Sequence, residues 1–159
     1  MLAFSACLET SDPPAGKTPL SVEVLAAGGQ CFPAPESWTA AWISSPEQLR
    51  ETVNRCRADR IGGVAEKVPS VDFGRFGVLA VEMGRKRSAG YGFETGEVTA
   101  FAENGTATVI LTCRQPASGA VTAQVMTAPW ILVRMPSGAY RDIRIMDRNG
   151  RALTRISLP

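Results

Sequence analysis

The sequence of 159 residues contains no histidine, and this absence limits the chemistry that the protein can perform. Ser-His-Asp and Cys-His nucleophiles are excluded, as are His-liganded zinc and haem sites. The chain also lacks any run of about 18 apolar residues, so no membrane-spanning helix is predicted. Its net charge of +2, from 17 basic and 15 acidic residues, is too small for a nucleic-acid surface. We therefore expect a non-catalytic protein with no cofactor, no metal site and no nucleic-acid partner.

Cysteine is scarce, and the spacing of Cys31, Cys56 and Cys113 matches no metal-binding motif. The helix predicted below folds back from a strand that ends near Ile43, so its last turn should return to where that strand began. In an oxidising compartment Cys31 and Cys56 are therefore the plausible disulfide pair. The alternative, in which all three thiols are reduced, stays open. Cys113 lies on the apolar face of a predicted strand and is interpreted as a buried free thiol.

Residues 1–7, MLAFSAC, are similar to the end of a bacterial lipoprotein signal peptide. In such signals small residues precede a cysteine that is lipidated, and Ser5, Ala6 and Cys7 fit this pattern, although the basic part and most of the apolar part are missing. The alternative is an ordinary apolar start with a chance cysteine. We expect a signal-peptide remnant and linker in residues 1–18 and one globular β-rich domain in residues 19–159. The protein would then be exported to the bacterial cell envelope (periplasm or outer membrane), with membrane contact only through a lipid on Cys7.

The 15 glycines and 11 prolines indicate short elements joined by many turns. Ser45 to Gln48 forms a capping box that predicts one long helix over about 46–57. Phe76 to Met83 is apolar on both faces, which is typical of a central strand. Asn104-Gly105 and Asn149-Gly150 both predict tight type I′ hairpins. With the alternating runs, including one over 20–26, these signals predict an α+β, mainly β domain of about eight strands, whose antiparallel sheets form a sandwich or a partly open barrel.

Two segments have unusual residue combinations. Residues 84–91, GRKRSAGY, place three consecutive cations between glycines and a tyrosine, a set suited to binding carboxylates and to aromatic contact. Residues 122–136, TAQVMTAPWILVRMP, enter an apolar strand through a Pro-Trp pair that could anchor a partner. The alternatives are a solvated hairpin tip whose tyrosine returns to the core, and a tryptophan that is itself part of the core. The candidate partner-binding residues are Arg85, Lys86, Arg87, Ser88, Gly90, Tyr91, Pro129 and Trp130.

These two segments, in this order, resemble the PrcB C-terminal domain family over about residues 69–136. The positions that carry the resemblance are Asp72, Phe73, Gly84, Ser88, Gly90, Tyr91, Thr127, Pro129 and Trp130. The sequence departs from the family pattern at Arg87, where proline is usual, at Ala89, where glycine is usual, and at Trp130, where tyrosine is common. The resemblance implies an accessory protein without catalytic residues, which associates with and stabilises a surface protease complex and is commonly an exported lipoprotein.

Two functions are therefore expected in order of preference. The first is a non-catalytic, lipid-anchored binding module that contacts a protease or another envelope protein through the 84–91 loop and the edge near Trp130. The second is a direct protease inhibitor, because SAGYGF and the Pro-Trp pair are similar to loops of chagasin-type cysteine-protease inhibitors, which are β-sandwiches.

Overall fold

The computed structural model describes residues 16–57, 67–138 and 140–159. Cys7 and most of the predicted linker lie outside these residues. The described part contains nine strands and one helix, so the prediction of a mainly β, α+β domain is confirmed. In chain order the elements are β1 (Thr18–Leu20), β2 (Glu23–Gly28), β3 (Thr39–Ile43), α1 (Pro46–Arg57), β4 (Phe76–Glu82), β5 (Gly92–Glu103), β6 (Thr106–Arg114), β7 (Trp130–Pro136), β8 (Asp142–Asp147) and β9 (Ala152–Ser157).

The strands form a five-stranded sheet in the order β1-β5-β6-β8-β9 and a four-stranded sheet in the order β2-β7-β4-β3. The two sheets are separate and share one core, and neither closes on itself, which is the arrangement of a sandwich. The alternating run over 20–26 is not one strand, because β1 and β2 lie in different sheets. The sheets are mainly antiparallel, as predicted, and the one parallel pair among the described strands is β6 with β8. These two strands are separated in the chain by β7, which belongs to the other sheet, so the chain returns to the first sheet in its original direction.

Two cores lie on opposite faces of the four-stranded sheet, so β4 is buried on both sides, as its sequence predicts. Along β4, Leu79 and Val81 face the five-stranded sheet while Val78 and Ala80 face α1, the alternation that a strand requires. Between the sheets the buried residues are Leu79, Val81, Met83, Phe93, Ala100, Ala107, Val109, Leu111, Ile131, Val133, Met135, Tyr140, Ile143 and Ile145. Under α1 they are Cys31, Ile43, Leu49, Val53, Cys56, Val78, Ala80, Trp130 and Leu132.

The helix α1 begins where the capping box predicts and covers Pro46–Arg57, the range expected from the sequence. The backbone N–H of Gln48 donates to Ser45 Oγ (3.3 Å), and Gln48 Oε1 accepts the N–H of Ser44 (2.9 Å). Arg55 of α1 donates two hydrogen bonds, of 3.1 and 2.5 Å, to the carboxylate of Glu82 in β4. Cys56, in the last turn, forms a disulfide with Cys31. The helix is therefore held to the sheet by apolar packing and an ion pair, and to the loop before β3 by a covalent bond.

The two Asn-Gly hairpins use different turns. Asn104 and Gly105 have φ of 49° and 77°, so the predicted type I′ turn between β5 and β6 is confirmed. The same prediction is wrong for Asn149-Gly150, where only Gly150 has a positive φ. The reason is Asp147: its Oδ1 accepts the N–H groups of Asn149 and Arg151, both at 2.9 Å, which stabilises a wider turn.

Asp147 is expected to make stability depend on pH. Its side chain is buried, and hydrogen bonds from the N–H groups of Arg151 and Asn149 together with the Arg151 charge hold its pKa below the ordinary value. Because the folded-state pKa is lower than the unfolded value of about 3.9, the charge stabilises the fold above that pH and this contribution is lost as the pH falls through the folded-state pKa. Asp147→Asn keeps one side-chain oxygen as a hydrogen-bond acceptor and removes the negative charge.

We expect Asp147→Asn to melt about 2 °C below wild type at pH 7. The gap should narrow as the pH falls below about 4, the ordinary pKa of an aspartate, and should close once the pH is below the lowered pKa of Asp147 in the folded state. A gap that stays constant from pH 7 to pH 2.5 would show that the Asp147 charge contributes nothing. Asp142→Asn, at a partly buried carboxylate whose pKa is also lowered, by hydrogen bonds from Ser157 and Arg155, gives the effect of a less deeply buried group for comparison.

Candidate functional site

The two unusual segments of the sequence meet in the structure. The first loop, residues 84–91, follows β4, and the second loop, residues 115–129, precedes β7. Lys86 and Thr127 exchange both backbone hydrogen bonds (2.8 and 2.9 Å), and the N–H of Ala89 donates to the carbonyl of Ala123 (2.9 Å). A side-chain bond from Thr127 Oγ1 to the carbonyl of Ser88 (3.1 Å) adds to them. The two loops therefore extend the β4–β7 pairing beyond the end of the sheet.

Gly84 sets the path by which the first loop leaves β4. Its φ is +77°, a value that costs an L-residue about 1–2 kcal/mol. A Cβ at this position would lie 2.8–2.9 Å from backbone atoms of Ser37, so the segment before β3 also packs directly on it. The next residue, Arg85, donates its N–H to the carbonyl of Pro35 (2.9 Å). The loop is thus held from both sides, by the second loop and by residues 35–37.

Lys86 is partly buried, and its ammonium group lies near two aromatic rings. Its Nζ lies 6.0 Å from the ring centroid of Trp38 and 5.6 Å from that of Tyr91, within the range of cation–π attraction. Trp38 in turn meets Phe93 edge-on, with centroids 5.9 Å apart. Tyr91 is half-buried and packs against the core between the sheets, as the alternative interpretation of the loop expected. Lys86 and Tyr91 therefore support the loop more than they offer contact area.

The exposed cations of the first loop are Arg85 and Arg87. Arg85 pairs with Glu36 at 3.0 Å, and both side chains remain largely in water. Arg87 has no acidic partner within the described part of the chain. Ser88 is partly buried, and Gly90, with φ of +98°, packs against Pro116 of the second loop. Of the predicted loop residues, Arg85 and Arg87 are thus the two that present charge to a partner.

The prediction that Pro129 and Trp130 form part of an exposed contact edge is wrong. Both residues are buried, and Trp130, 4% exposed, belongs to the core under α1. Its indole covers Gly28 of β2 so closely that a Cβ there would lie 2.8 Å from Trp130 Nε1. The physical reason is register: Trp130 pairs with Glu82 and Gly28, and its face of the sheet is the one that α1 covers. The chagasin-like interpretation thereby loses the exposed Pro-Trp loop on which it partly depends.

Three apolar side chains near the first loop were not singled out by sequence. Among the described residues, the exposed large hydrophobics are Val121, Val125 and Met126, with 103%, 48% and 49% of their surface in water. All three lie in the second loop. We define the two-loop surface as Arg85, Arg87, Val121, Val125 and Met126. The sequence signal for its apolar part was that residues 115–129 contain no charged residue, which separates them from an ordinary solvated loop.

The strands β4 and β7, the hairpin β5–β6 and both loops lie in one continuous segment. Residues 78–136 match the PrcB C-terminal family. The recognition of this family from the sequence is confirmed over that segment, a little over a third of the chain, and the family is not a known catalytic one. No curated protein and no solved structure matches the chain.

The PrcB-like segment accommodates its departure from the family pattern at Ala89. A left-handed Ala89 would be strained, but among the described non-glycine residues Asn104 is the one with positive φ. Gly90, which follows Ala89, takes the positive φ instead. The structure also explains the glycine at position 84 of the PrcB-like pattern, since both its φ and its contact with Ser37 exclude a side chain.

Away from the two-loop surface, a cleft of about 380 Å³ lies beside Cys113 and is lined by Asp147 and Arg151 among others. Cys113 is a free thiol, half-buried rather than buried as predicted. Burial and the nearby Asp147 carboxylate raise the pKa of its thiol, so at neutral pH it is protonated and a poor nucleophile. Among the described residues no cluster of three Cys, Asp or Glu side chains could hold a metal ion, and no helix is long and apolar enough to cross a membrane.

Proposed function

We propose that the protein is a non-catalytic binding module that associates with a protein of the bacterial cell envelope, a protease among the candidates, and stabilises it. The observation that carries this proposal is the two-loop surface. Within a segment that matches an accessory family, exposed cations and exposed apolar side chains stand side by side on backbone that is hydrogen-bonded in place. Exposed apolar side chains beside charged ones are typical of protein interaction sites.

The proposal includes export and anchoring. The Cys31–Cys56 disulfide fits an oxidising compartment, since such bonds rarely persist in the cytosol. Cys7, in the lipoprotein-like start of the sequence, would carry the lipid. The intact mass of protein recovered from the bacterial envelope tests this part: a diacyl or triacyl adduct at Cys7 is expected, and an unmodified Cys7 would rule out the anchor.

Association is tested by recovering tagged protein from envelopes of its own host after mild cross-linking. Wild type should recover a partner, and the variant Arg87→Glu/Met126→Ser should recover about one tenth as much of it. The variant loses a charge contact and a central apolar contact, and each loss weakens binding substantially. The matched control is Arg144→Glu, an exposed cation of β8 on the other sheet. Equal recovery with all three proteins, at equal melting temperatures, would overturn the proposal.

Stabilisation of the partner has its own readout. In cells that carry the Arg87→Glu/Met126→Ser variant, the partner should be degraded several-fold faster than in cells with wild type or Arg144→Glu. An unchanged partner half-life would leave association without the stabilising role and would contradict that part of the proposal.

A further inference from the structure

The two-loop surface also indicates the chemistry of what it binds. Resting on the proposed function, we infer that it recognises an extended segment of the partner in which an acidic side chain lies next to an apolar one. The acidic group would pair with Arg87, assisted by Arg85, and the apolar group would cover Met126 and Val125.

The charge of this surface has one sign. The first loop carries three consecutive cations and no acid, and the second loop carries no charge at all. The acidic neighbour, Glu36, is engaged by Arg85 and is itself mostly in water. Three cations within one short loop outweigh the single neighbouring carboxylate, so an acidic partner complements the charge of this surface. Arginine favours carboxylates in particular, because its planar fork can bind both oxygens.

The apolar part lies directly beside the charge. Lys86 and Thr127 are directly opposite each other across the bridge between the loops, and Thr127 is buried while Lys86 leans on Trp38 and Tyr91. Arg87 and Met126 directly follow and precede this bridged pair on the side away from the sheet, so they adjoin each other at the end of the two loops. Both are exposed. An acidic residue and an apolar residue one or two positions apart in a partner segment could therefore contact both at once.

The surface is fixed before binding. Backbone bonds join Lys86 to Thr127 and Ala89 to Ala123, the side-chain amide of Gln30 donates to the carbonyl of Met126 (3.4 Å), and Ala128 donates its N–H to Gly29 (2.8 Å). Because the loop backbone is already ordered, the protein itself loses less conformational entropy when a partner binds. This favours a short segment as the ligand over a large induced interface.

A protein segment fits better than a lipid surface. Three cations contribute only about 1 kcal/mol each near anionic lipid, and Lys86 is partly occupied by aromatic rings. The exposed apolar residues are two valines and a methionine, whereas interfacial membrane contacts favour Trp, Phe and Leu. Two valines and a methionine are instead of a size to pack against one small apolar side chain of a peptide.

The test uses a phage-displayed library of short random peptides selected on the wild-type protein, with counter-selection on Arg87→Glu/Met126→Ser. Enriched peptides should combine Asp or Glu with an adjacent apolar residue. One such peptide is then synthesised with a version in which Asn or Gln replaces its acids. For wild type, and likewise for Arg144→Glu, the acidic peptide should have a Kd at least about tenfold lower than the amide version. Added NaCl should reduce this ratio of the two Kd values.

Several results would overturn this inference: no enrichment, enriched peptides without acidic residues, or binding that the double variant retains. Binding of the protein to vesicles of phosphatidylcholine and phosphatidylserine that is lost in the double variant would assign the surface to lipid instead. If envelope recovery still depends on Arg87 and Met126 while no acidic peptide is enriched, the proposed function stands and the acidic segment is wrong. If neither depends on them, both proposals fail.

Discussion

Replacing both Cys31 and Cys56 by serine should lower the free energy of unfolding by about 3.5 kcal/mol. The two residues are 25 positions apart in the chain, so their bond removes considerable freedom from the unfolded state. Both side chains are buried in the core under α1, where a serine hydroxyl would need a hydrogen-bond partner. Urea unfolding of the purified domain measures the loss directly.

The matched control is Cys113→Ser, which removes the free thiol and leaves the disulfide intact. It should cost less than about 1 kcal/mol, since Cys113 is half-exposed. Reduction of wild type should reproduce most of the effect of the double variant. A double variant as stable as Cys113→Ser would show that the bond between α1 and the loop before β3 is not a main source of stability.

Gly84→Ala should cost about 3 kcal/mol and disorder the first loop. The alanine would have to adopt φ near +77°, and its Cβ would collide with the backbone of Ser37, which cannot move without displacing β3. Part of the cost is therefore backbone strain and part is steric. Partner recovery should fall along with stability, because Arg85 and Arg87 directly follow this residue.

Two other glycines separate these contributions. Gly105 has the same φ of +77° but open space around it, so Gly105→Ala measures the strain alone, about 1 kcal/mol. Gly96 has neither a positive φ nor a neighbour within 4 Å, and Gly96→Ala should leave stability unchanged within about 0.5 kcal/mol. Equal effects of Gly84→Ala and Gly105→Ala would contradict the close packing of Ser37 on the first loop.

Local signals predicted the elements that depend on local interactions. Ser45 and Gln48 determine the start of α1 by hydrogen bonds within one turn, and Asn104-Gly105 determines its hairpin through two backbone angles. The double-sided burial of β4 followed from its uninterrupted apolar sequence. Each of these is a property of a few consecutive residues, which is why sequence patterns reveal it.

Features that depend on distant partners were not predicted. The split of residues 20–26 into β1 and β2 depends on pairing with Ala100 to Ala102 in one case and with β7 in the other. The parallel pairing of β6 with β8 depends on where β7 lies. The wider turn at Asn149 depends on a carboxylate two residues earlier, a local signal that the more familiar Asn-Gly pattern obscured.

The candidate site was predicted in part. Arg85 and Arg87 stood out because three consecutive cations are unusual, and both are exposed. Trp130 was a candidate contact residue and is instead part of the core, the alternative that the sequence left open, since a strand that is apolar on both faces does not indicate which face a helix will cover. Val125 and Met126 became candidates only when the Lys86–Thr127 bridge placed them beside the cations, a contact between residues 41 positions apart.

The central claim is that the two-loop surface binds a protein partner, and the dissociation constant of the recovered partner tests it most directly. Surface plasmon resonance with the purified partner should give a Kd at least about tenfold higher for Arg87→Glu/Met126→Ser than for wild type, and within about twofold of wild type for Arg144→Glu. Equal Kd values for wild type and the double variant, with both proteins folded, would contradict the account.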